Sequence, residues 1–168
     1  MEKSYFLMLA AYHRWAYEKL SDSLKPVNDP DYRKDVGLPF RSIHGTLNHL
    51  LLVDRLWHAR FEHRPPPYTR LDEELETDRS QLAQALIQES GAWQAMLREW
   101  PDKVLGDELS YRTTKGAPRR LPVGPILGHV FNHGTHHRGQ ITAVITRLGF
   151  DYPVLDLLYF LAEQSPPS

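Results

Sequence analysis

Nine histidines stand in this chain of 168 residues, and four of them, His129, His133, His136 and His137, fall within the stretch HVFNHGTHHRGQ. On a helix, residues four apart sit one above the other, so His129, His133 and His137 stack along one face. That face also carries Ile126, Val130, Ile141 and Val144, which turns it toward a core rather than toward water. An i,i+4 pair of imidazoles can chelate one divalent ion at about 2.0–2.1 Å from each nitrogen. All three cannot easily share it, because about 12 Å of helix rise separates His129 from His137 at about 1.5 Å per residue. The chelate is therefore His129 with His133 or His133 with His137. His133 belongs to both.

A third ligand has to come from another helix. His49 shares a face with Leu52, Val53 and Leu56 and points inward, whereas His44 and His58 fall beside Asp54 and Arg55 on a more polar face, which makes His49 the better candidate. A lone histidine on an apolar face is more often a hydrogen-bonded core residue, but several buried imidazoles together would each need a partner, and one ion serves them all. Three neutral imidazoles leave coordination positions open to water or substrate, the pattern of catalytic rather than structural zinc sites. Imidazole suits several metals, with Zn or Ni expected here. Protons should compete with the ion as pH falls below the ordinary imidazole value of about 6.5.

These residues need elements to hold them. Apolar positions at helical spacing predict a first helix over 4–24 with Ser4 as its N-cap, a second from about Ser42 to Glu62, and a third from about Asp72 to Glu99 with a seven-residue rhythm from Leu75 to Trp100. Lys25 to Arg41, with Pro26, Pro30, Gly37 and Pro39, reads as a long connection that crosses the bundle. Pro65-Pro66-Pro67 ends the second helix and Pro101 the third. Glu108 to Leu121 reads as a small hairpin or irregular lid. The fourth helix runs from about Val123 to Leu148 with Gly149 as its stop, and Pro153 opens a short fifth through Leu161. The fold class is all-α: one domain, residues 1–168, built as a four-helix bundle with a short fifth C-terminal helix. Trp15, Trp57, Trp93 and Trp100 are expected in the core, Tyr111 in a packing role, and Arg119 and Arg120 at a turn.

Composition narrows the class. Hydrophobic residues make up 41% and charged residues 24%, the proportions of a globular chain. There is no cysteine, so disulfides, thiolate ligands and cysteine nucleophiles are excluded, and any thiol chemistry needs an external thiol. A formal net charge of -1 gives no footprint for nucleic acid. No apolar run approaches the roughly 18 residues of a membrane span, and no secretory signal opens the chain, so a cytoplasmic location is expected. The nearly unbroken apolar run Val154, Leu155, Leu157, Leu158, Tyr159, Phe160 and Leu161 has more apolar surface than one packing face can cover, which predicts a homodimer.

Three blocks, SIHGTLNHLLLVDRLWHARF (42–61), HVFNHGTHHRGQ (129–140) and PVLDLLYFL (153–161), together with YHRWAYEKL near the start, resemble the DinB family of bacterial damage-inducible metalloproteins. The resemblance covers nearly the whole chain. It implies a four-helix bundle with a fifth short helix, often dimeric, with a three-histidine divalent metal site. Carried over by motif, the ligands are His49, His133 and His137, with His129 a neighbour and His136 a supporting or packing group. His13 and Tyr17 stand where similar chains often show amide side chains, and Gly134 replaces a commoner polar residue; these departures are expected to bear on the substrate pocket. Related bundles include thiol-dependent S-transferases and isomerases. The resemblance thus implies a metal-dependent enzyme that activates a low-molecular-weight thiol or water against a small-molecule substrate, by lowering the pKa of what the ion binds. The competing reading is a non-catalytic metal-binding stress-response protein.

Overall fold

The structure, a computed structural model, describes residues 2–65 and 67–165. In chain order the elements are helix α1 (Lys3–Leu24), a short helix α2 (Asp29–Arg33), α3 (Ile43–Phe61), α4 (Arg79–Glu99), a 3-10 turn (Asp102–Gly106), strands β1 (Glu108–Arg112) and β2 (Pro118–Pro122), α5 (Val123–Arg147) and α6 (Leu157–Gln164). The bundle consists of α1, α3, α4 and α5. Both α1 and α3 pack on α4 and on α5, so these two successive helices stand at opposite corners. The connection between them crosses the bundle as the sequence predicts, with α2 formed on the way and capped by the Asn28 side chain.

Local chemistry sets the helix ends. The Ser42 hydroxyl accepts from the Gly45 amide and the Asp78 carboxylate from the amides of Ser80 and Gln81, satisfying groups that the first turn cannot pair internally. Gly149, at φ +82°, ends α5, with its own amide bonded to the Thr146 carbonyl and that of Phe150 to Ile145, the paired closure a left-handed glycine permits. At the start of α1 the expectation fails: Glu2, not Ser4, holds the N-cap position, without a side-chain cap.

Two larger corrections concern the segments flanking α4 and α6. The third bundle helix starts at Arg79, not Asp72. Asn48 on α3 explains why: its Oδ1 accepts from the amides of Leu75 (2.7 Å) and Glu76 (2.9 Å) and its Nδ2 donates to the Glu76 carbonyl, so the backbone of 71–76 is laid along α3. The final helix begins at Leu157, and Pro153 lies in the extended strap before it. The hairpin forms as an antiparallel pair with Leu109 opposite Leu121 and Tyr111 opposite Arg119. Of the proline triplet expected to end α3, Pro66 lies outside the described residues.

The apolar interior divides along the bundle axis. One cluster gathers Tyr17, Leu20, Leu47, Leu51, Leu86 and Ile141, the other Phe6, Ala10, Val53, Trp57, Trp93 and Phe131. Between them each bundle helix contributes polar side chains: His13 from α1, Asp54 from α3, Glu89 and Ser90 from α4, and Arg138 from α5. His13 donates from Nε2 to Asp54 Oδ2 (3.1 Å) and its Nδ1 accepts from Arg138 Nη1 (3.1 Å), while the Trp93 indole donates to Asp54 Oδ1. Burial alone would raise the Asp54 carboxyl, but the bonds from His13 and Trp93 hold it below its usual value. Burial keeps His13 neutral. Asp54 is thus balanced across His13 by the Arg138 cation.

The two departures noted in the sequence meet in this layer. A Cβ on Gly134 would lie 2.5 Å from His13 Cε1 and 2.8 Å from Arg138 Nη1, so the missing side chain at 134 makes the space His13 fills. They belong to the core, not to a substrate pocket.

Candidate metal centre

Three imidazoles converge where α3 faces α5. His49 Nε2 and His133 Nε2 are 3.2 Å apart, and one ring nitrogen from each of His49, His133 and His137 lies within 4.8 Å of the others. Two imidazoles bound at about 2.0–2.1 Å to one tetrahedral ion have their nitrogens roughly 3.3–3.4 Å apart, so the observed separation fits a shared ion. The ring centroids are 4.5–5.1 Å apart.

Outer hydrogen bonds set the tautomers. His49 donates from Nδ1 to the Leu71 carbonyl at 2.8 Å, and His137 donates from Nδ1 to Gln140 Oε1 at 2.8 Å. Each Nε2 therefore carries its lone pair toward the cluster, the arrangement that metal-ligating histidines commonly use. Burial depresses the basicity of all three; it brings His49 to about 4 and, with the neighbouring imidazoles, His133 to about 3. With the lone pairs of His49 and His137 turned inward, His133 has only to carry its proton on Nδ1 for three neutral nitrogens to face one cation, and that is the test the donor set passes.

The supports explain why the sequence folds this way locally. Asn48, next to His49, holds the 71–76 segment against α3, and that segment delivers the Leu71 carbonyl. Gln140 serves two histidines, since its Nε2 also donates to His136 Nε2 at 3.2 Å; His136 itself is exposed. Phe40 stacks on His49, centroids 3.6 Å apart and rings within 14°, and meets His137 edge-on. A tight turn closed by Arg41, at φ 71°, presents that ring, and Gly45 lets the turn approach: a Cβ there would sit 2.2 Å from the Phe40 carbonyl oxygen. Gln140 is legible as the i+3 neighbour of His137, but nothing in the sequence singles out Phe40 or Leu71.

The remaining histidines go elsewhere. His129 is exposed, one turn before His133, with ring centroids 5.6 Å apart. His44 and His58, expected on a polar face, are buried, and so is Asp54. Their polarity is met inside: His44 Nε2 pairs with Glu74 at 2.6 Å and His58 Nδ1 with Glu89. Tyr111 packs against Trp57, and Arg119 and Arg120 lie on β2 rather than in a turn.

A model of the DinB family matches residues 1–167. The chain belongs to the DinB family. It is 26% identical over 148 residues to Protein DinB of Bacillus subtilis (strain 168), covering 84% of this chain and 85% of that one. Among solved structures it resembles a DinB-like protein from Bacillus cereus (TM-score 0.67, 21% identity, covering 89% of this chain and 94% of that one). It also resembles YfiT from Bacillus subtilis (TM-score 0.66, 19% identity, 89% of each chain), described as a probable metal-dependent hydrolase with an unusual four-helix bundle topology. At these identities the structural likeness shows the fold. No helix among the described residues is long and apolar enough to cross a membrane.

Proposed function

We propose that His49, His133 and His137 hold one divalent ion, Zn or Ni, and that the protein is a metal-dependent enzyme acting on a small-molecule substrate through a bound thiol or water. The observation that carries this reading is the convergence of three imidazole nitrogens with, among the described residues, no carboxylate bonded to any of them and no fourth ligand in the set, which leaves coordination room. The ion, when bound, would supply a lowered pKa for the thiol or water and hence a nucleophile near neutral pH. The chain's own residues do the positioning. The Leu71 carbonyl and Gln140 fix the imidazole tautomers, and Phe40 shields one side of the cluster from water. With no cysteine in the chain, a thiol has to come from outside. YfiT's description as a hydrolase makes water the other nucleophile to test.

The experiment is to reload stripped protein with one equivalent of Ni and titrate it with low-molecular-weight thiols, following thiolate-to-metal absorption. A saturable band that disappears in His133→Ala is expected. Metal bound at one ion per chain, with no response to thiols or hydrolysable esters, would favour the non-catalytic metal-binding reading instead.

We also propose that α6 forms part of a homodimer contact. Only Phe160 of that helix is buried, against Tyr12 and Trp15, whereas Leu158 is 76% and Tyr159 56% exposed, an apolar patch of the kind that marks an interface. Sedimentation equilibrium at micromolar concentration should give twice the monomer mass, reverting to one chain in Leu158→Glu; a monomer in both would remove the dimer.

A further inference from the structure

Arg60, near the C-terminal end of α3, is a buried cation that the metal reading leaves unused. It is 9% exposed, and its guanidinium lies 4.4 Å over the Trp57 ring and 4.7 Å over Tyr111. It makes one hydrogen bond among the described residues, from Nη2 to the Arg112 carbonyl at 3.2 Å, while Nε is buried without a partner. No carboxylate among the described residues pairs with it, and burial lowers its basicity. Arg138, the other deeply buried arginine, is bonded to His13 and Thr135 and balanced by Asp54. A buried guanidinium without a counter-ion carries a desolvation cost that two aromatic faces only partly offset.

The surroundings of Arg60 lead to the histidine cluster. Trp57, beneath the guanidinium, lies 6.0 Å from the exposed His129, and His129 lies 5.6 Å from His133. Arg119 stands directly opposite Tyr111 in the hairpin, so both side chains are on the same face of the ribbon. Arg119 is exposed, and among the described residues its guanidinium bonds only to the neighbouring Pro118 carbonyl. The hairpin segment 108–122 holds Arg112, Lys115, Arg119 and Arg120 against the single carboxylate of Glu108, a local positive field on a chain whose net charge is -1.

We propose that Arg60, with Arg119 across Tyr111, is a binding subsite for the carboxylate or phosphate of the molecule whose reacting end meets the His49, His133 and His137 cluster. The planar fork of arginine suits such an oxyanion, and Trp57 and Tyr111 hold it in place. The proposal depends on the metal reading only for where the reacting end goes. His129 marks the level of Arg60, and the cluster lies one to two helical turns farther along α5, about 6–12 Å at about 1.5 Å per residue. The ligand is therefore elongated, with its negative charge at the end away from the reacting atom. Small uncharged thiols or esters would leave this subsite empty.

The test follows the Arg60 Nε–H and Trp57 Nε1–H signals of isotopically labelled full-length protein during titration with inorganic phosphate and, separately, acetate. Chloride holds ionic strength constant, and the protein is measured with and without one equivalent of zinc. Saturable shifts of these two signals are expected in both forms. Phosphate tighter than acetate assigns a phosphoryl group and the reverse a carboxylate; either supports the subsite. Arg60→Gln should weaken binding by about tenfold or more, the loss expected for a charge-assisted hydrogen bond, with zinc stoichiometry unchanged. Should Arg60→Gln fold poorly, Arg119→Gln, on the exposed strand, should weaken it several-fold. No saturable shift at Arg60, equal affinity in Arg119→Gln and wild type, or a response confined to His133 and His137 in the zinc form would overturn the proposal. Failure to bind zinc with the phosphate response intact would overturn the metal reading alone.

Discussion

His13, His44 and His58 are buried, and each has a carboxylate partner: Asp54, Glu74 and Glu89. His49 on α3 and His133 and His137 on α5 come together nearby, and no carboxylate among the described residues hydrogen-bonds any of them; His49 and His137 bond outward to a carbonyl and an amide, and one nitrogen of each of the three rings faces the others. Burial lowers the basicity of His13 and His49 alike, so burial alone does not separate the two groups. The difference lies in whether a carboxylate meets the ring. In the first group a carboxylate takes one ring nitrogen, and in His13 Arg138 also meets the other, whereas Nδ1 of His44 and Nε2 of His58 are buried without a partner among the described residues; in the second group the inner nitrogens face only one another. The first arrangement ties buried polar groups together, and the second is a donor set that could hold a cation.

The sharpest way to break this comparison is to remove one histidine of each kind. His133→Ala should abolish binding of one divalent ion per chain, since on the proposed reading His133 would supply one of three ligands, while His44→Ala should leave the stoichiometry intact; equal loss in both, by metal analysis after dialysis, would erase the distinction. Next in size is Asp54→Ala, which leaves Arg138 without its counter-charge in the core and should cost about 3–5 kcal/mol in denaturant unfolding. Metal stoichiometry in that variant should remain one per chain, and a fall in metal content without loss of stability would place Asp54 in the wrong group.

A smaller effect probes how the carboxylate-paired layer is packed. Gly134→Ala should cost about 1–3 kcal/mol by overpacking, because its Cβ would sit 2.5 Å from His13 Cε1. In a His13→Asn background, whose shorter side chain vacates the space, the same substitution should cost distinctly less; additive costs in the double-mutant cycle would deny the contact.

The smallest effect is the pH dependence. Unfolded histidines take up protons near 6.5, but folded His49 holds off protonation until about 4 and His133 until about 3. The unfolded chain therefore binds more protons across that window, so the stability these groups contribute without metal is full above about 6.5 and is lost as pH falls from there toward about 3. In the folded chain protons compete with the ion only at the lower values, so zinc affinity, measured against a chelator, should fall later than the 6.5 expected from free imidazole. A fall already complete at about 6 would mean that the histidines are solvated.

Much of this was legible in the sequence. Periodicity located the four bundle helices, Gly149 marked the end of α5, and the i,i+4 spacing placed His133 in any chelate. Two kinds of feature were not. Asn48 overrides the helical pattern of 72–78 through three tertiary hydrogen bonds, and the polar face of α3 proved to be buried because its partners, Glu74, Glu89 and His13, lie far away in the chain. Periodicity reports a side chain's direction but not what meets it there. Choosing His137 over His129 likewise needed the family motif, since both lie one turn from His133.

X-ray absorption at the zinc edge of protein reloaded with one equivalent tests the central claim most directly. Three imidazole nitrogens at about 2.0–2.1 Å with one or two exchangeable oxygen ligands are expected, and the imidazole scattering should vanish in His133→Ala. A shell of carboxylate oxygens, or an unchanged spectrum in His133→Ala, would contradict it.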